Sequence, residues 1–478
     1  MASILPPPFI RQMQAILGNE WSALESALQL PAPVSIRLNA DKLTANAIQA
    51  LESGRWTIAA GKRKPDSPEP VDTEVTPVPW HERAFYLQER PVFTLDPLFH
   101  AGAYYVQEAS SMFVAEAVRQ TVPLDKPLKV LDLCAAPGGK STLLLSLLSS
   151  ASLLVSNEVI RARTSALREN LERWGHPNVA VTSAEVEEFA ALEGWFDVVL
   201  TDAPCSGEGL FRKDPDAVQE WSLPHVALCA ARQKRILAAA IQSLAPGGIL
   251  LYSTCTYNRE ENDGNISWML QDFPLELVSL KVPESWGIIQ TPAGGYQFFP
   301  HKLQGEGFFL AAFRKKAGSV ARHQPPSGFK SLKPLPKALV PQAAAWLHPN
   351  AEARFFQTPA GEVLALPAAL ESEYLLLDKM LKTKWFGVNI GEFKGKDFIP
   401  SHALALNFWV SPTLPGVDLT EEQALLFLKK ETFDPPANWP KGWALARFQG
   451  INLGWMKILP NRINNYLPQE RRIRMSVG

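Results

Sequence analysis

Cysteine is scarce in this chain. Its 478 residues hold four, Cys134, Cys205, Cys229 and Cys255, all within one stretch. A secreted disulfide framework is denser and more spread out, so a reducing, cytoplasmic setting is expected. Neither Cys205 nor Cys255 sits in a C-x-x-C pair or beside a histidine. That argues against a bound metal and against the usual redox dithiol. No apolar run reaches the roughly 18 residues needed to span a bilayer. The opening MASILPPPFIRQMQ lacks a basic segment followed by an apolar one, so neither a membrane partner nor a signal peptide is expected. A charge excess is missing too: the net charge is −1, and bulk electrostatics announce no nucleic-acid partner. The distribution says more. From Arg314 to Lys337 there are seven Lys/Arg and no acid, and KILPNRINNYLPQERRIR near the end carries five basic residues and one acid. Such stripes hold phosphates or are simply solvated.

What is present is a regular alternation. The length predicts more than one domain. Residues 1–100 read as an N-terminal extension, with helical spacing in FIRQMQAILGNEWSALESAL and a proline-rich loop in GKRKPDSPEPVDTEVTPVPW. From 101 to 316, short apolar runs (LKVLDLC, SLLVSNE, NVAVTSAE, FDVVLTDAP, GILLYSTC) alternate with helical segments. One of these is a long helix, HVALCAARQKRILAAAIQSLAPGG, with a glycine stop. This pattern predicts an α/β, Rossmann-like, doubly wound parallel sheet. Residues 317–338 read as a basic, Pro-rich linker and 339–385 as a small connecting region. Residues 386–478 read as a small β domain, with SHALALNFWV and GWALARFQGINLGWMKIL as strands.

VLDLCAAPGGKST is a strand, a turn of small residues and a helix. A phosphate-binding loop needs G-x-x-x-x-G-K-[ST], and Cys134 stands where its first glycine belongs. A dinucleotide fingerprint needs G-x-G-x-x-G, and the chain offers Ala135-Ala136-Pro137-Gly138-Gly139. A loop for S-adenosylmethionine needs no phosphate cradle, only small residues that let backbone approach the methionine part. Gly138 and Gly139 fit. Glu158 closes the next strand, twenty residues past Gly138, where a carboxylate accepts from ribose hydroxyls. Asp132, Lys140 and Glu185 are further candidates, Glu185 for the adenine amino group.

Ligands of open α/β sheets bind at the carboxyl ends of the strands. Asp202 and Cys205 in TDAPCSG, and Cys255 in STCTYN, are expected there. Cys229, inside an apolar helix, reads as packing. Two thiols and a carboxylate suit one demanding reaction. Cytosine is too electron-poor to be methylated at carbon 5 directly. Thiolate addition at carbon 6 makes carbon 5 nucleophilic. A base then removes the carbon-5 hydrogen and the thiolate leaves. The target base must be splayed out of its stack.

At these residues the chain resembles the NOL1/NOP2/Sun family of RNA cytosine-5 methyltransferases, through SIRLN, YYVQEASSM, DLCAAPGGKST, DAPCSGEGLFRKDPD and YSTCTYNREEN. The resemblance implies that Cys255 is the nucleophile and Cys205 assists product release; Asp202 stays a catalytic candidate by its place at the strand end. It implies cofactor contacts at Cys134, Ala135, Ala136, Pro137, Gly138, Gly139, Lys140, Glu158, Glu185 and Asp202, S-adenosyl-L-methionine as cofactor and no metal. The third cofactor position is usually aspartate in the family, whereas here it is Glu185. IPSHALAL and GWALARFQGINLGWMKILPNRINNYLPQERRIR resemble the PUA-like tail of a bacterial small-subunit enzyme of that family. This implies 16S rRNA in the small ribosomal subunit as partner, with RNA contacts from the N-terminal extension, the linker and the tail, and a monomer. Two rival readings remain at this point: a tRNA cytosine-5 methyltransferase, and an RNA-binding assembly factor whose activity is dispensable.

Overall fold

The computed structural model describes residues 5–45, 48–49, 55–58, 71–382 and 384–475. At its centre is a ten-stranded sheet. Its strands are β1 (Lys129–Asp132), β2 (Leu153–Asn157), β3 (Val179–Thr182), β4 (Phe196–Asp202), β5 (Leu244–Thr254), β6 (Leu275–Leu277), β7 (Ile289–Gln290), β8 (Tyr296–Phe298), β9 (Phe308–Lys315) and β10 (Lys384–Phe386). The spatial order is β7-β8-β9-β5-β4-β1-β2-β3-β10, with β6 also on β9. Strands β1 to β5 run parallel; β9 joins β5, and β10 joins β3, antiparallel. The parallel strands are buried on both faces, which is why they read as unbroken apolar runs. One apolar cluster covers each face of the sheet. The helices that matter here are α1 (Gly139–Leu145), α2 (Arg161–Trp174), α3 (Val186–Ala190), α4 (Leu223–Ser243) and α5 (Asp263–Asp272).

From β1 the chain winds outward through β2 and β3, then returns to put β4 on the other side of β1. The strand order reverses between β1 and β4. That switch point is where an open α/β sheet leaves a crevice for ligand. Asp132 ends β1 and Asp202 ends β4.

Three further sheets flank this core. The first joins Arg55–Ile58, Val71–Pro77, Ala84–Leu87, Val34–Leu38 and Tyr104–Val106. The second joins Lys333–Pro334, Ala353–Gln357, Glu362–Pro367, Val388–Lys394 and Asp397–Pro400, so its strands come from both sides of residue 386. The third joins Gly416–Asp418, Gly442–Phe448, Ile451–Leu459 and Arg462–Asn465. The first and third share one core, where Ile36, Phe85 and Tyr104 meet Phe427, Ala446 and Met456. The tail is therefore packed against the start of the chain.

Four local expectations change. Residues 71–77 form a strand, although they read as loop; residues 61–70 of that expected loop lie outside the described residues. His402–Leu406 in SHALALNFWV is a helix. Ser401 caps it, its Oγ accepting from Leu404 N–H at 3.1 Å. The Ala/Leu alternation misled because Ala403 to Leu406 are all buried, so it marks no single face. Helix α4 stops at Ser243, ahead of Gly247 and Gly248, which belong to β5. The basic stripes are partly internal: Lys315 Nζ donates to the carbonyls of Ile241 and Leu244 at 2.7 and 2.6 Å. Arg471 pairs with Glu169 and Glu172 of α2 at 3.1 and 2.7 Å. Among the described residues no helix is long and apolar enough to cross a membrane.

Candidate active site

The switch point opens into a cavity of about 450 Å³, lined on one side by Asp132, the loop Cys134–Pro137, Gly139 and Lys140, and on the other by Asp202 and Cys255. Backbone bonds pin the loop: Leu133 N–H donates to Leu200 O at 2.9 Å, and Ala135 N–H to Asn157 O at 2.8 Å. Gly138 has φ +112°, and a Cβ there would lie 3.2 Å from Leu167 of α2. Only glycine suits that turn. A second clamp comes from the arginine of SIRLN. Arg37 is buried, with Nε on Gln107 Oε1 at 3.0 Å and Nη2 on Thr142 Oγ1 at 2.7 Å, and its guanidinium lies 4.5 Å from the Trp174 ring. Burial lowers its pKa to about 9, which leaves it charged at neutral pH.

Asp132 is fully buried and accepts from Ser141 Oγ at 2.6 Å through Oδ2. Its Oδ1 has no partner. Burial pushes its pKa up to about 7, against the Ser141 hydrogen bond. Glu158 is 3% exposed; its carboxylate accepts from Ile160 N–H at 2.9 Å and pairs with Arg163 at 3.3 Å. Arg163 also donates to Ala136 O at 2.7 Å, tying that carboxylate to the loop. Cys134 is a buried-side thiol raised above its ordinary range, chiefly by burial and then by Asp132 and Asp202. Glu185 is exposed at the N-cap of α3, and neither it nor Glu158 is among the residues lining the cavity. An acid after a strand also begins a helix well, which is why its spacing alone could not assign it.

The opposite wall holds the thiols. Cys205 Sγ and Cys255 Sγ are 3.1 Å apart and both are free. Cys255 N–H donates to Cys205 Sγ at 3.3 Å. The contact raises the Cys205 pKa well above its ordinary value, helped by burial, so Cys205 keeps its proton. Asp202 accepts from Lys140 Nζ and from Ser253 Oγ, each at 2.7 Å. Burial pulls the Lys140 pKa down, but the Asp202 carboxylate outweighs it and the ammonium is held. Cys229 lies apart, buried in α4, its thiol pushed up to about 11 by burial.

Carboxylates that the motif reading passed over build the thiol wall. Glu261 is buried behind Cys205, accepting from Ser206 N–H at 3.0 Å and Gln233 Nε2 at 2.7 Å, and burial raises its pKa to about 7. Glu208 is buried under the same loop. It accepts from Gln12 Nε2 and Trp221 Nε1, each at 3.0 Å, and from Tyr257 N–H at 2.9 Å. Gly209 N–H donates to Cys255 O at 2.8 Å, and a Cβ on Gly209 would lie 2.5 Å from Gly307 O. The signal for these acids was in view: both sit inside the quoted motifs, between glycines or beside a cysteine loop. Among the described residues no cluster of His, Cys, Asp and Glu could hold a metal.

The model of the N-terminal domain of 16S rRNA methyltransferase RsmF matches residues 5–109, that of 16S rRNA methyltransferase RsmB/F matches 121–314, and that of the methyltransferase RsmF PUA domain matches 415–473. Ribosomal RNA small subunit methyltransferase F of Klebsiella pneumoniae is 32% identical over 97% of this chain and 96% of its own length. The protein of that name from Vibrio cholerae is 32% identical over 98% and 97%. The chain belongs to the ribosomal RNA small subunit methyltransferase F family. A methyltransferase homolog protein from Pyrococcus horikoshii, of solved structure, is 29% identical and covers 65% of this chain and all of that one, at a TM-score of 0.51. The RsmB/F match coincides with the central sheet from β1 to β9. The PUA match coincides with the third flanking sheet, so the tail is PUA-like.

Proposed function

We propose that this chain methylates carbon 5 of one cytidine of 16S rRNA, using S-adenosylmethionine and a covalent bond from Cys255. Its family and the names of its relatives support rRNA methylation. The observation that carries the finer reading is the pair of free thiols 3.1 Å apart, one on the wall of a cavity that also presents Asp202, Lys140 and the loop Cys134–Gly139.

The residues present fit the cofactor. Asp132 Oδ1, buried and without a partner on the cavity wall, suits the ammonium of a methionine moiety. The loop's small residues leave room along its backbone. Glu158 has carboxylate lone pairs left for ribose hydroxyls beyond its bonds to Ile160 and Arg163. The bound cofactor supplies an electrophilic methyl group on a sulfonium.

The chain's own residues do the rest. Cys205, protonated, offers its S–H to Cys255 Sγ and stabilises a thiolate there. That thiolate adds to carbon 6 of the flipped cytosine, and the electron pair displaced from the double bond makes carbon 5 nucleophilic. Asp202, fixed by Lys140 and Ser253, holds the pyrimidine edge. After carbon 5 gains its methyl group, its hydrogen leaves as a proton to a water molecule acting as base. The released pair re-forms the double bond and expels Cys255. Cys205 is the group beside Cys255 that assists this release.

The test is a trap. Cys205→Ala protein with S-adenosylmethionine and small ribosomal subunits should accumulate a covalent protein–RNA species at one 16S cytidine, absent when Cys255 is also replaced. An adduct on tRNA instead would move the substrate. Turnover with no adduct on either RNA would remove Cys205 from product release.

A further inference from the structure

Tyr105 and Val106 line the active-site cavity on one side. They also line a second groove of about 640 Å³, which therefore adjoins the first. Its walls are the segment Arg90–Phe99 and the last turns of α2. Two guanidiniums lie over aromatic faces there: Arg90 is 5.6 Å from the Phe93 ring centre and Arg173 is 4.4 Å from that of Phe99. Arg90 and Val92 are exposed. Among the described residues lining the groove there is no Asp or Glu. Asn170 joins groove to loop: its Nδ2 donates to Pro137 O at 2.7 Å and to Tyr105 Oη at 3.3 Å, while its Oδ1 accepts from Arg173.

An exposed cation attracts phosphate, and aromatic and guanidinium planes stack on bases in a sequence-tolerant way. Arg90 is such a cation; Arg173 is half-buried, with Glu169 beside it. A cytosine drawn into the cavity has to leave its neighbours unstacked just outside it. We infer that this groove holds the single-stranded RNA that flanks the target base, with Arg90 on its phosphates and the Arg90–Phe93 and Arg173–Phe99 surfaces against its bases. The inference rests on reading RNA as the substrate. It identifies Tyr105 as the partition between flanking nucleotides and the cofactor loop.

The test uses the full-length protein and a fluorescein-labelled, unstructured RNA of about 20 nucleotides, read by anisotropy across a salt series. Arg90→Glu should weaken binding by roughly tenfold or more and lower the slope of log affinity against log salt by about 1, with Arg90→Lys keeping most of the affinity. Melting temperature should move little, because Arg90 is exposed and meets the core only at the Phe93 ring, and S-adenosylmethionine affinity should not move, because Arg90 does not touch the loop. Unchanged RNA affinity and slope in Arg90→Glu would overturn the groove, whatever the methylation assay gives. Loss of binding in a protein that transfers no methyl group to subunits would instead keep the groove and sink the reaction. A parent protein that binds no RNA would sink both.

Discussion

The two walls of the active-site cavity are built differently. The cofactor wall is contiguous in sequence: a strand end, a turn of small residues and the start of α1, from Asp132 to Lys140, held by backbone bonds and clamped by Arg37, Arg163 and Asn170. The thiol wall is assembled from afar. Cys205 and Cys255 come from two strand ends fifty residues apart in sequence. Glu208 beneath them bonds to Gln12, 196 residues away. One wall holds its buried carboxylate, Asp132, with an oxygen left unpartnered; the other spends Glu208 and Glu261 on satisfying its own loops. The first is poised for a ligand and the second is fixed as scaffold for two sulfurs.

Separate construction means separable failure. Cys255→Ala has the largest expected effect: methyl transfer falls by several orders of magnitude, since no thiolate remains to attack, while cofactor affinity is unchanged. Calorimetric titration of the variant checks both halves. If cofactor binding fell with transfer, the two walls would not be independent.

Asp132→Asn breaks the cofactor wall in a pH-dependent way. The folded carboxyl is raised by burial to about 7, so the native state holds a proton that the unfolded chain loses near pH 4. Ionising it costs stability that accumulates from about pH 4 to about pH 7 and is constant above. Asparagine removes that cost, by at most roughly 4 kcal/mol at 1.36 kcal/mol per unit. The melting temperature of the variant should therefore gain on the parent as pH rises to about 7, then run parallel, while cofactor affinity drops. A gap constant from pH 4 to 8 would show that Asp132 does not titrate in this window.

Glu208→Ala tests the scaffold. It leaves the Trp221 indole N–H and the Tyr257 amide buried without acceptors, at about 1–3 kcal/mol for each such group. Turnover and stability should both fall while cofactor affinity holds. An intact turnover rate would mean that the thiol loops do not depend on the N-terminal helix Pro7–Leu17.

The same contrast explains what the sequence disclosed. The local wall was legible, because strand, small-residue turn and helix are adjacent in the chain, and periodicity and turn chemistry act at short range. The central α/β sheet was legible for that reason too. Gln12, Arg37 and Glu208 were not, since each acts across more than sixty residues, and burial of a charged group is decided by packing that no window contains. Glu185 shows the converse ambiguity: its position after β3 suits a cofactor acid and a helix N-cap alike, and the side chain is exposed at the start of α3. The second flanking sheet was hardest, because its strands are scattered from 333 to 400 and the helix at 402–406 is buried on every side.

Glu158 gives the smallest effect and the sharpest test of the boundary between the walls. It belongs to the cofactor side by position, but Arg163 and Ile160 N–H already use its oxygens. Were it merely structural, Glu158→Ala would loosen Arg163 from Ala136 O and lower stability with little change in cofactor affinity. A carboxylate that receives ribose hydroxyls should instead cost about 1–3 kcal/mol of binding, a rise in the cofactor dissociation constant of roughly 5- to 150-fold. Turnover at saturating cofactor should stay near the parent's, because no thiol-wall group contacts it. Replacing Arg163 by alanine separates the two accounts further. If Arg163 only screens the carboxylate, affinity rises or holds. If Arg163 orients the carboxylate against the loop, affinity falls nearly as far as in Glu158→Ala, and the double variant loses no more than the single one.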